Sequence, residues 1–387
     1  MSLSVCMIVR DEAANIVRCL NSVRSIADEL VVVDTGSVDN TIQLVREIMP
    51  DAIIAEEKWT NNFSFHRNNA LKLASGDWVL SIDADEELVL GVSPDEFRQH
   101  MQVVPLDVGI LSMRLFSIRR NTHPSIGLAP RLFRRKSTHW EWALHEMPFT
   151  SHKQGFTKLM HIVHHGYNDI SKDDSRRNRN ESILLKTVAD ERKGKGKWLK
   201  PRTYRYLIQT YFAFDEFPKA FKWAEEFHDS LIAQKQKLDV STCFCVAHNY
   251  LATGKLDLGK KWIEMGMRVK NTHIDINYTL YSYGLLAKDK LAIIAGGTKY
   301  IDAYHKLEHD PTLLAQDQVM TMHPTRYADV ATNLFVMSLD LALGAMGAVG
   351  NVINAIPEEQ SNEIRELIAQ TIAESGIRFD EKEQKVA

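Results

Sequence analysis

Residues 77–85 read Asp77-Trp78-Val79-Leu80-Ser81-Ile82-Asp83-Ala84-Asp85, an apolar run that ends in two carboxylates. The apolar part, residues 78–82, predicts a buried β-strand. Because side chains alternate along an extended chain, we expect Asp83 and Asp85 to emerge on the same side. Burying carboxylates is unfavourable unless they are paired or bind a metal. The pair therefore predicts a divalent-cation site at the end of a core strand, and with it a phosphorylated substrate.

The chain around this strand alternates between short apolar runs and segments with helical spacing. Predicted strands cover residues 3–9, 30–33, 52–55 and 78–82, and predicted helices cover residues 16–23, 41–48 and 68–74. This alternation is typical of an α/β fold, with a mostly parallel sheet and helices on both faces. From residue 108 to residue 167 the pattern changes to strands and irregular loops.

The second half of the chain has helical spacing throughout. Two helix–turn–helix units, residues 204–226 and 246–263, follow each other at an offset of about 40 residues, which is near the range of helical-hairpin repeats. A further helical pair is predicted over residues 329–356, and a polar, frayed end over residues 380–387. These patterns predict two domains, an α/β domain at residues 1–190 and an all-α, repeat-like domain at residues 191–387. The charged, glycine-containing stretch at residues 191–197 is the expected boundary.

Composition points to an ordinary globular protein. A net charge of −3 over 387 residues provides no global reason for a polyanion partner. No apolar run approaches the roughly 20 residues of a membrane span, and the start has no signal-peptide pattern, so a cytoplasmic location is expected. Four cysteines are too few for a disulfide framework, and we expect buried free thiols. The oligomeric state is open.

Acidic residues follow three of the predicted strands. Glu12 follows the first strand, Asp34 the second, and Asp83 and Asp85 the fourth. In a parallel α/β sheet, ligands bind outside the carboxyl ends of the strands, so these side chains should face one crevice. The glycine-rich phosphate loops are absent from the sequence. Phosphates would then need a metal and a basic side chain, for which Arg67 is the candidate.

Four segments in this order resemble glycosyltransferase family 2, whose nucleotide-sugar-binding domain has the GT-A fold. They are residues 5–12 (VCMIVRDE), 31–41 (VVVDTGSVDNT), 67–71 (RNNAL) and 76–86 (GDWVLSIDADE). With the helical second half, the chain is similar to bacterial enzymes that join this domain to tetratricopeptide-like helices, such as the sublancin-type peptide S-glycosyltransferases. Lipopolysaccharide-core glycosyltransferases share the first half.

The resemblance implies roles for individual residues. It assigns nucleotide-sugar binding to Val9, Arg10, Glu12, Asp34, Arg67, Asp83 and Ala84. Within this set, Asp34 and Glu12 would meet the base or ribose, and Arg67 the nucleotide or diphosphate. Asp83 would lie near the ribose or a metal-bound water, and Asp85 would bind Mn²⁺ or Mg²⁺. Many relatives have a second aspartate where this chain has Thr35, which weakens the assignment of uridine as the base.

Two later segments carry the remaining candidates. Residues 139–148 resemble the family's Val-His-Glu segment, in which Glu146 is the candidate base and Glu141 the second choice. The candidates for the acceptor side are Trp140, Trp142 and His145. Residues 161–168 resemble the family's His-x-Gly-Tyr motif, so His164 would complete the metal shell with Asp85. His165 is the alternative, because alternation points the two histidines in opposite directions.

Structural roles compete with these functional ones. Asp83 and Asp85 are also suited to cap a helix, and Arg67 and Glu146 could form ion pairs without a catalytic role. His164 could be a structural histidine with its hydrogen bonds satisfied. Trp140 and Trp142 could fill a hydrophobic core.

The functional hypothesis is a metal-dependent inverting glycosyltransferase that uses a nucleotide-diphosphate sugar, most plausibly UDP-linked. A peptide or protein side chain is the first choice of acceptor, because helical-hairpin repeats make concave peptide surfaces. A lipid-linked or core oligosaccharide is second. A modified nucleic-acid base is third and rests on the basic stretches at residues 176–179 and 192–205. The rival from another class is a non-enzymatic helical scaffold with a relic first domain.

Overall fold

The computed structural model describes residues 1–118, 125–166, 173–195, 198–214, 216–235, 238–310 and 326–338. Residues 1–327 form one compact unit, and a second unit begins at Ala328. Residues 326–338 are helical. The rest of the helical pair predicted over residues 329–356, and the predicted frayed end, lie outside the described residues.

The first part of the chain is built on an eight-stranded sheet with strand order β3-β2-β1-β4-β7-β6-β10-β5. The strands are β1 (Leu3–Val9), β2 (Glu29–Asp34), β3 (Ile53–Glu56), β4 (Trp78–Ser81), β5 (Glu86–Leu90), β6 (Val108–Ser117), β7 (Ser125–Arg134), β8 (Thr138–Glu141), β9 (Met147–Thr150) and β10 (Lys153–His164). Strands β1 to β4 pair in parallel. Strands β8 and β9 form a separate antiparallel hairpin.

Helices cover both faces of the parallel part, as predicted. They are α1 (Ile16–Val23), α2 (Thr41–Ile48), α3 (Phe63–Leu73) and α4 (Pro94–Gln102). Alternate residues of β1 separate the two faces: Val5 packs in the cluster that contains Leu20 of α1, and Cys6 packs in the cluster that contains Ala70 of α3. The α/β part of the fold prediction is therefore confirmed.

Strand β10 decides where the site forms. It runs parallel to β6 and antiparallel to β5, so the carboxyl end of β10 meets the start of β5. In this register His164 pairs with Glu86, the first residue after the Asp83–Asp85 segment. A histidine from the end of one strand is thereby brought to the carboxylates that follow another.

The second part is helical, as predicted. Its helices are α5 (Asp173–Lys195), α6 (Pro201–Ala213), α7 (Phe217–Gln234), α8 (Val240–Ala252), α9 (Leu256–Lys270), α10 (Ile274–Ala287) and α11 (Lys290–His309). Helices α6 to α11 form three helix–turn–helix pairs, and the pair α10–α11 lies in the predicted all-α region without having had predicted bounds of its own. Helix α5 runs through residues 191–195 of the expected boundary, and the boundary itself stays a prediction.

Buried side chains from both parts define the interior. The cores contain all four cysteines, Cys6, Cys19, Cys243 and Cys245, as buried free thiols, which confirms that prediction. The helical core also contains Leu144, which belongs to the loop between β8 and β9. Within the described residues, no helix combines the length and apolar character needed to cross a membrane.

Candidate active site at the carboxyl ends of the strands

The segment Asp83–Asp85 is not an extended strand. Strand β4 ends at Ser81, and residues 84–85 form a turn that leads into β5. The turn is closed by the Glu86 N–H, which donates to the Asp83 carbonyl oxygen at 2.9 Å. The expectation that Asp83 and Asp85 emerge on the same side by strand alternation is therefore wrong, and the two carboxylates have different partners.

Asp83 is held between two arginines. Arg67 donates to Asp83 Oδ1 at 2.7 Å, and Arg131 donates to Asp83 Oδ2 at 2.8 Å. Arg131 also donates to Glu86 Oε1 at 2.7 Å. Burial alone would raise the pKa of the Asp83 carboxyl, but the charges of Arg67 and Arg131 outweigh it and hold that pKa well below its usual range. Asp83 is therefore an ionised anchor for both guanidinium groups.

Arg67 occupies a place different from the one expected for a phosphate ligand. Its side chain is only 6% exposed, and it lies 5.0 Å from the centroid of the Trp140 ring. Its three nitrogens donate to Glu146, Ser81 and Asp83. A guanidinium committed to three protein acceptors has little left for a diphosphate. We therefore place Arg67 inside the wall of the crevice rather than at its surface.

Asp85 pairs with a histidine instead. Its Oδ2 lies 3.3 Å from His164 Nε2, and its backbone carbonyl accepts from the His165 N–H at 2.9 Å. His165 points to the opposite side, where its Nε2 lies 3.1 Å from Glu87 Oε2. Burial lowers the pKa of the His164 imidazole. The hydrogen bond and charge of Asp85 raise this pKa by more than burial lowers it, so the net shift is upward. Of the two candidate histidines, His164 is the one beside Asp85.

The donor atoms of this pair suit a divalent cation. Two ligands that occupy neighbouring positions of an octahedral ion at about 2.1 Å lie about 3 Å apart, close to the 3.3 Å between Asp85 Oδ2 and His164 Nε2. A Cβ at Gly166 would collide with the Asp85 carboxylate and lie 2.9 Å from His164 Nε2, so glycine leaves the room that an ion would need. Among the described residues no third His, Cys, Asp or Glu joins them. The remaining ligands would come from water and substrate.

The loops after β1 and β2 form a second part of the crevice. Asp34 is 5% exposed, and its Oδ1 accepts from the N–H of Ser37 at 3.0 Å and from the Ser37 hydroxyl at 2.7 Å. Its Oδ2 has no hydrogen-bond partner among the described residues. Thr35 donates to the Val9 carbonyl oxygen through its hydroxyl at 3.1 Å. Thr35 therefore joins the two loops.

The other candidates for the donor side lie nearby. The Glu12 side chain accepts from Asn15 Nδ2 at 2.9 Å. Arg10 is exposed and lies 3.8 Å from Asp11, whereas Val9 and Ala84 are buried. Buried apolar residues can meet a ligand through the backbone.

The two candidate bases differ in their surroundings. Glu146 is 12% exposed and accepts from Arg67 Nε at 2.7 Å through Oε1. Its Oε2 has no hydrogen-bond partner among the described residues. Glu141 is 43% exposed and pairs with His139 on the surface of the hairpin. Glu146 is therefore joined to the Asp83 network, and Glu141 is not.

The three acceptor-side candidates also differ in burial and in their partners. Trp140 is 5% exposed and packs in the core with Phe133, so its ring faces are not available to a ligand. Trp142 and His145 lie in the loop between β8 and β9, and the His145 ring stacks on Tyr206 with centroids 4.0 Å apart. His145 as a whole is exposed, but desolvation of its ring against Tyr206, with positive charge from Arg202 and Arg205, lowers the pKa of His145 to about 4. The acceptor-side set is thus reduced to Trp142 and His145.

Several residues of the site were missed in the sequence. Arg131 lies in the apolar run of β7. A charged side chain in an otherwise apolar strand indicates a buried partner of opposite charge, and this was the signal that could have found it. Gly166 is the glycine of the His-x-Gly-Tyr motif but had no predicted role, and its contact with Asp85 shows why a side chain does not fit there. Arg202 of α6, which reaches the loop between β8 and β9, has no signal beyond its basic neighbourhood.

An α/β sheet with carboxylates at its strand ends is the class of architecture that binds nucleotides. A model of the family Glycosyl transferase family 2 matches residues 4–96 of this chain. A TPR repeat-containing protein of Synechococcus elongatus is 50% identical over 88 residues, which are 23% of this chain and 21% of that protein. The SPbeta prophage-derived glycosyltransferase SunS of Bacillus subtilis is 40% identical over 79 residues, which are 20% of this chain and 19% of that protein.

The chain thus spans about a fifth of the length of these two relatives. Among solved structures, TarS 1-349 of S. aureus in complex with UDP-GlcNAc is 13% identical, covers 81% of this chain and 92% of that chain, and has a TM-score of 0.34.

Proposed function

We propose that this protein is a metal-dependent inverting glycosyltransferase. The donor is a nucleotide-diphosphate sugar, with UDP as the first choice of nucleotide, and the acceptor is a peptide or protein side chain. The observation that carries the proposal is the pair formed by Asp85 Oδ2 and His164 Nε2, 3.3 Å apart, at the carboxyl ends of the strands in a family-2 domain.

Asp85 and His164 would hold a divalent cation together with the diphosphate. A mixed oxygen and nitrogen set suits Mn²⁺ better than Mg²⁺, because Mg²⁺ prefers oxygen ligands and dehydrates reluctantly. When bound, the cation neutralises the negative charge that develops on the departing diphosphate. Asp34, whose Oδ2 has no hydrogen-bond partner among the described residues, is positioned to accept from the base or the ribose.

Glu146 would act as the base. The acceptor nucleophile attacks the anomeric carbon, the bond from that carbon to the diphosphate oxygen breaks, and the proton of the nucleophile passes to Glu146. Arg67 Nε donates to Glu146 Oε1 at 2.7 Å, which leaves Oε2 to receive the proton. Attack from the face opposite the leaving group inverts the anomeric configuration.

The acceptor proposal rests on the helical part. Helices α6 to α11 form three successive helix–turn–helix pairs, and stacked pairs of this kind offer extended surfaces for peptides. Trp142 and His145 lie in the loop that ends in Glu146, and their rings contact Arg202 and Tyr206 of α6. An aromatic residue at that place suits a sugar ring or a peptide side chain.

The substitution Asp85→Ala tests the metal site. We expect it to abolish Mn²⁺-dependent binding of UDP, measured by calorimetry, and to abolish transfer, because a lost carboxylate leaves one protein ligand. The matched control is Glu87→Gln, two residues away, whose carboxylate faces Arg18 and His165 instead. Full UDP binding and transfer by Asp85→Ala in saturating Mn²⁺ would exclude this site.

A panel of UDP-glucose, UDP-GlcNAc and UDP-galactose identifies the donor. Each is incubated with the protein, Mn²⁺ and candidate peptides, and the mixture is followed by intact-mass measurement. A mass increase of one sugar on a peptide is expected. If no nucleotide sugar binds with or without metal, the first domain is a relic and the scaffold hypothesis is correct.

A further inference from the structure

Residues 142–146 form the loop that joins β8 to β9 and ends in Glu146. Two of its residues have positive φ values, 71° at Trp142 and 53° at His145. Side chains with a Cβ rarely adopt this backbone region. Such a conformation persists only where the surroundings hold it in place. The position of Glu146 therefore depends on what the loop contacts.

Arg202 of α6 contacts both of these unusual residues. Its guanidinium carbon lies 3.4 Å from the centroid of the Trp142 ring, and its Nη2 donates to the backbone carbonyl of His145. The same guanidinium lies 4.6 Å from the centroid of the Tyr206 ring, on which the His145 ring stacks at 4.0 Å. One side chain thus connects the backbone and the aromatic rings of the loop to a helix.

The rest of the loop is held by both parts of the chain. Leu144 is buried in the helical core, whereas the Ala143 carbonyl accepts from the N–H of Phe63, the first residue of α3, at 2.9 Å. Glu146 itself is bound by Arg67, which is also a residue of α3. The loop therefore lies between two supports, one from α3 and one from the helical part.

We propose that Arg202 is a positioning residue that holds the loop 142–146 and thereby places the Glu146 carboxylate at the reacting centre. The inference rests on the role proposed above for Glu146. It makes the helical part a component of the active site, in addition to any role in binding the acceptor. Misplacing a catalytic group by about 1 Å can lower a rate as much as a hundredfold, so a support of this kind has a measurable effect.

The test compares Arg202→Ala with Arg192→Ala. Arg192 of α5 is a matched control, because its guanidinium also lies over an indole, 5.6 Å from the centroid of Trp223, and pairs with Glu226 without touching the loop. We expect Arg202→Ala to lower kcat for transfer at least about tenfold, while the Kd for UDP in Mn²⁺ stays within twofold of the wild-type value. Arg192→Ala should keep the wild-type kcat. Rates are compared well below each variant's melting temperature.

Two further measurements separate positioning from general structural damage. Arg202→Lys keeps the charge but loses the planar stacking surface, so its kcat should fall between those of wild type and Arg202→Ala. If Arg202 acts through Glu146, the double variant with Glu146→Gln should be hardly slower than Glu146→Gln alone. Independent, additive losses would overturn the inference, as would a wild-type kcat for Arg202→Ala or a loss of UDP affinity equal to the loss of kcat.

Hydrogen exchange supplies a readout that needs no reaction. Amides of residues 139–149 should exchange faster in Arg202→Ala than in wild type and Arg192→Ala, while exchange in β1 to β4 is unchanged. If the wild-type protein transfers no sugar, the proposed function fails, and this measurement still decides whether Arg202 holds the loop. Unchanged exchange of residues 139–149 in Arg202→Ala would overturn the inference.

Discussion

Asp83 and Asp85 are two residues apart along the chain and have different surroundings. The chain leaves β4 at Ser81 and turns at residues 84–85, so Asp83 faces the two arginines and Asp85 faces His164. A carboxylate between two guanidinium groups is already neutralised, whereas one beside an imidazole can still bind a cation. The physical difference between two similar residues thus follows from one turn of the backbone.

At the residue scale, Asp83→Asn should destabilise the fold at neutral pH. The amide keeps the volume but removes the charge that both Arg67 and Arg131 contact, and each charged hydrogen bond contributes about 1.5–3 kcal/mol. We expect the free energy of unfolding to fall by about 2 kcal/mol, since Glu146 and Glu86 still pair with the two arginines. Urea unfolding at pH 7 measures this difference.

The pH dependence of that difference has a defined sign. The folded-state pKa of Asp83 lies below its ordinary value of 3.8, so its contribution is complete above that value and is lost as the pH falls towards the folded-state pKa. The gap between wild type and Asp83→Asn should stay constant from pH 7 to about pH 4.5 and shrink at lower pH. If the difference in unfolding free energy between wild type and Asp83→Asn already disappears between pH 7 and pH 5, Asp83 is not held between Arg67 and Arg131 as described.

At the element scale, the site depends on the approach of β10 to the turn before β5. The register that pairs His164 with Glu86 brings Gly166 against Asp85. Because a Cβ there would collide with the carboxylate, Gly166→Ala should displace Asp85 from His164. We expect Mn²⁺-dependent affinity for UDP to fall at least about tenfold, the range of lost metal-site support.

Calorimetry with UDP and Mn²⁺ checks this expectation. Gly127→Ala in β7 is the control, since a Cβ at that position has no atom within 4 Å. It should leave both stability and UDP affinity unchanged. Equal affinities for Gly166→Ala and Gly127→Ala would show that the room beside Asp85 is not used by a cation.

At the scale of the whole molecule, the α/β part and the helical part share a core. Leu144 comes from the loop between two strands and is buried among helical residues such as Leu207 and Phe244. The halves that differ in sequence pattern are therefore packed together within the compact unit of residues 1–327. The loop 142–146 lies at their junction, which links the stability of the helical part to the position of Glu146.

Leu144→Ala tests this shared core. Removing a buried leucine side chain leaves a cavity and should lower the free energy of unfolding by about 2–5 kcal/mol. Leu258 is 42% exposed, so Leu258→Ala should change the free energy of unfolding by about 0.5 kcal/mol or less. Urea unfolding followed by fluorescence and circular dichroism measures both. Equal effects of the two substitutions would mean that Leu144 does not join the parts.

Much of the fold was predictable because its signals are local. Helices α1 and α2 and the strands of the parallel sheet follow from apolar spacing, and the structure has them within a few residues of the predicted bounds. The helical character of the second half was predicted, but not the bounds of α10 and α11, because α10 is apolar on most of its surface and lacks a clear stripe. The predicted domain boundary at residue 190 stays a prediction.

The candidate site was predictable in part for the same reason. Asp85 and His164 belong to short motifs, so each was found alone. Arg131 and Arg202 were not found, because their partners Asp83 and His145 lie 48 and 57 residues away along the chain. A motif records neighbours in sequence, and these contacts are made between distant elements.

The order of the first strands and helices, the match of residues 4–96 to the family model and the chemical types at the strand ends follow from the amino-acid sequence alone, since periodicity and short motifs are local properties. The tertiary structure decided which carboxylate is neutralised and which is paired with His164, that Arg67 is buried, and that Arg202 reaches the loop of Glu146. Those outcomes depend on a turn after β4, on the register of β10 and on the packing of α6. Each of these brings together residues that no local pattern connects.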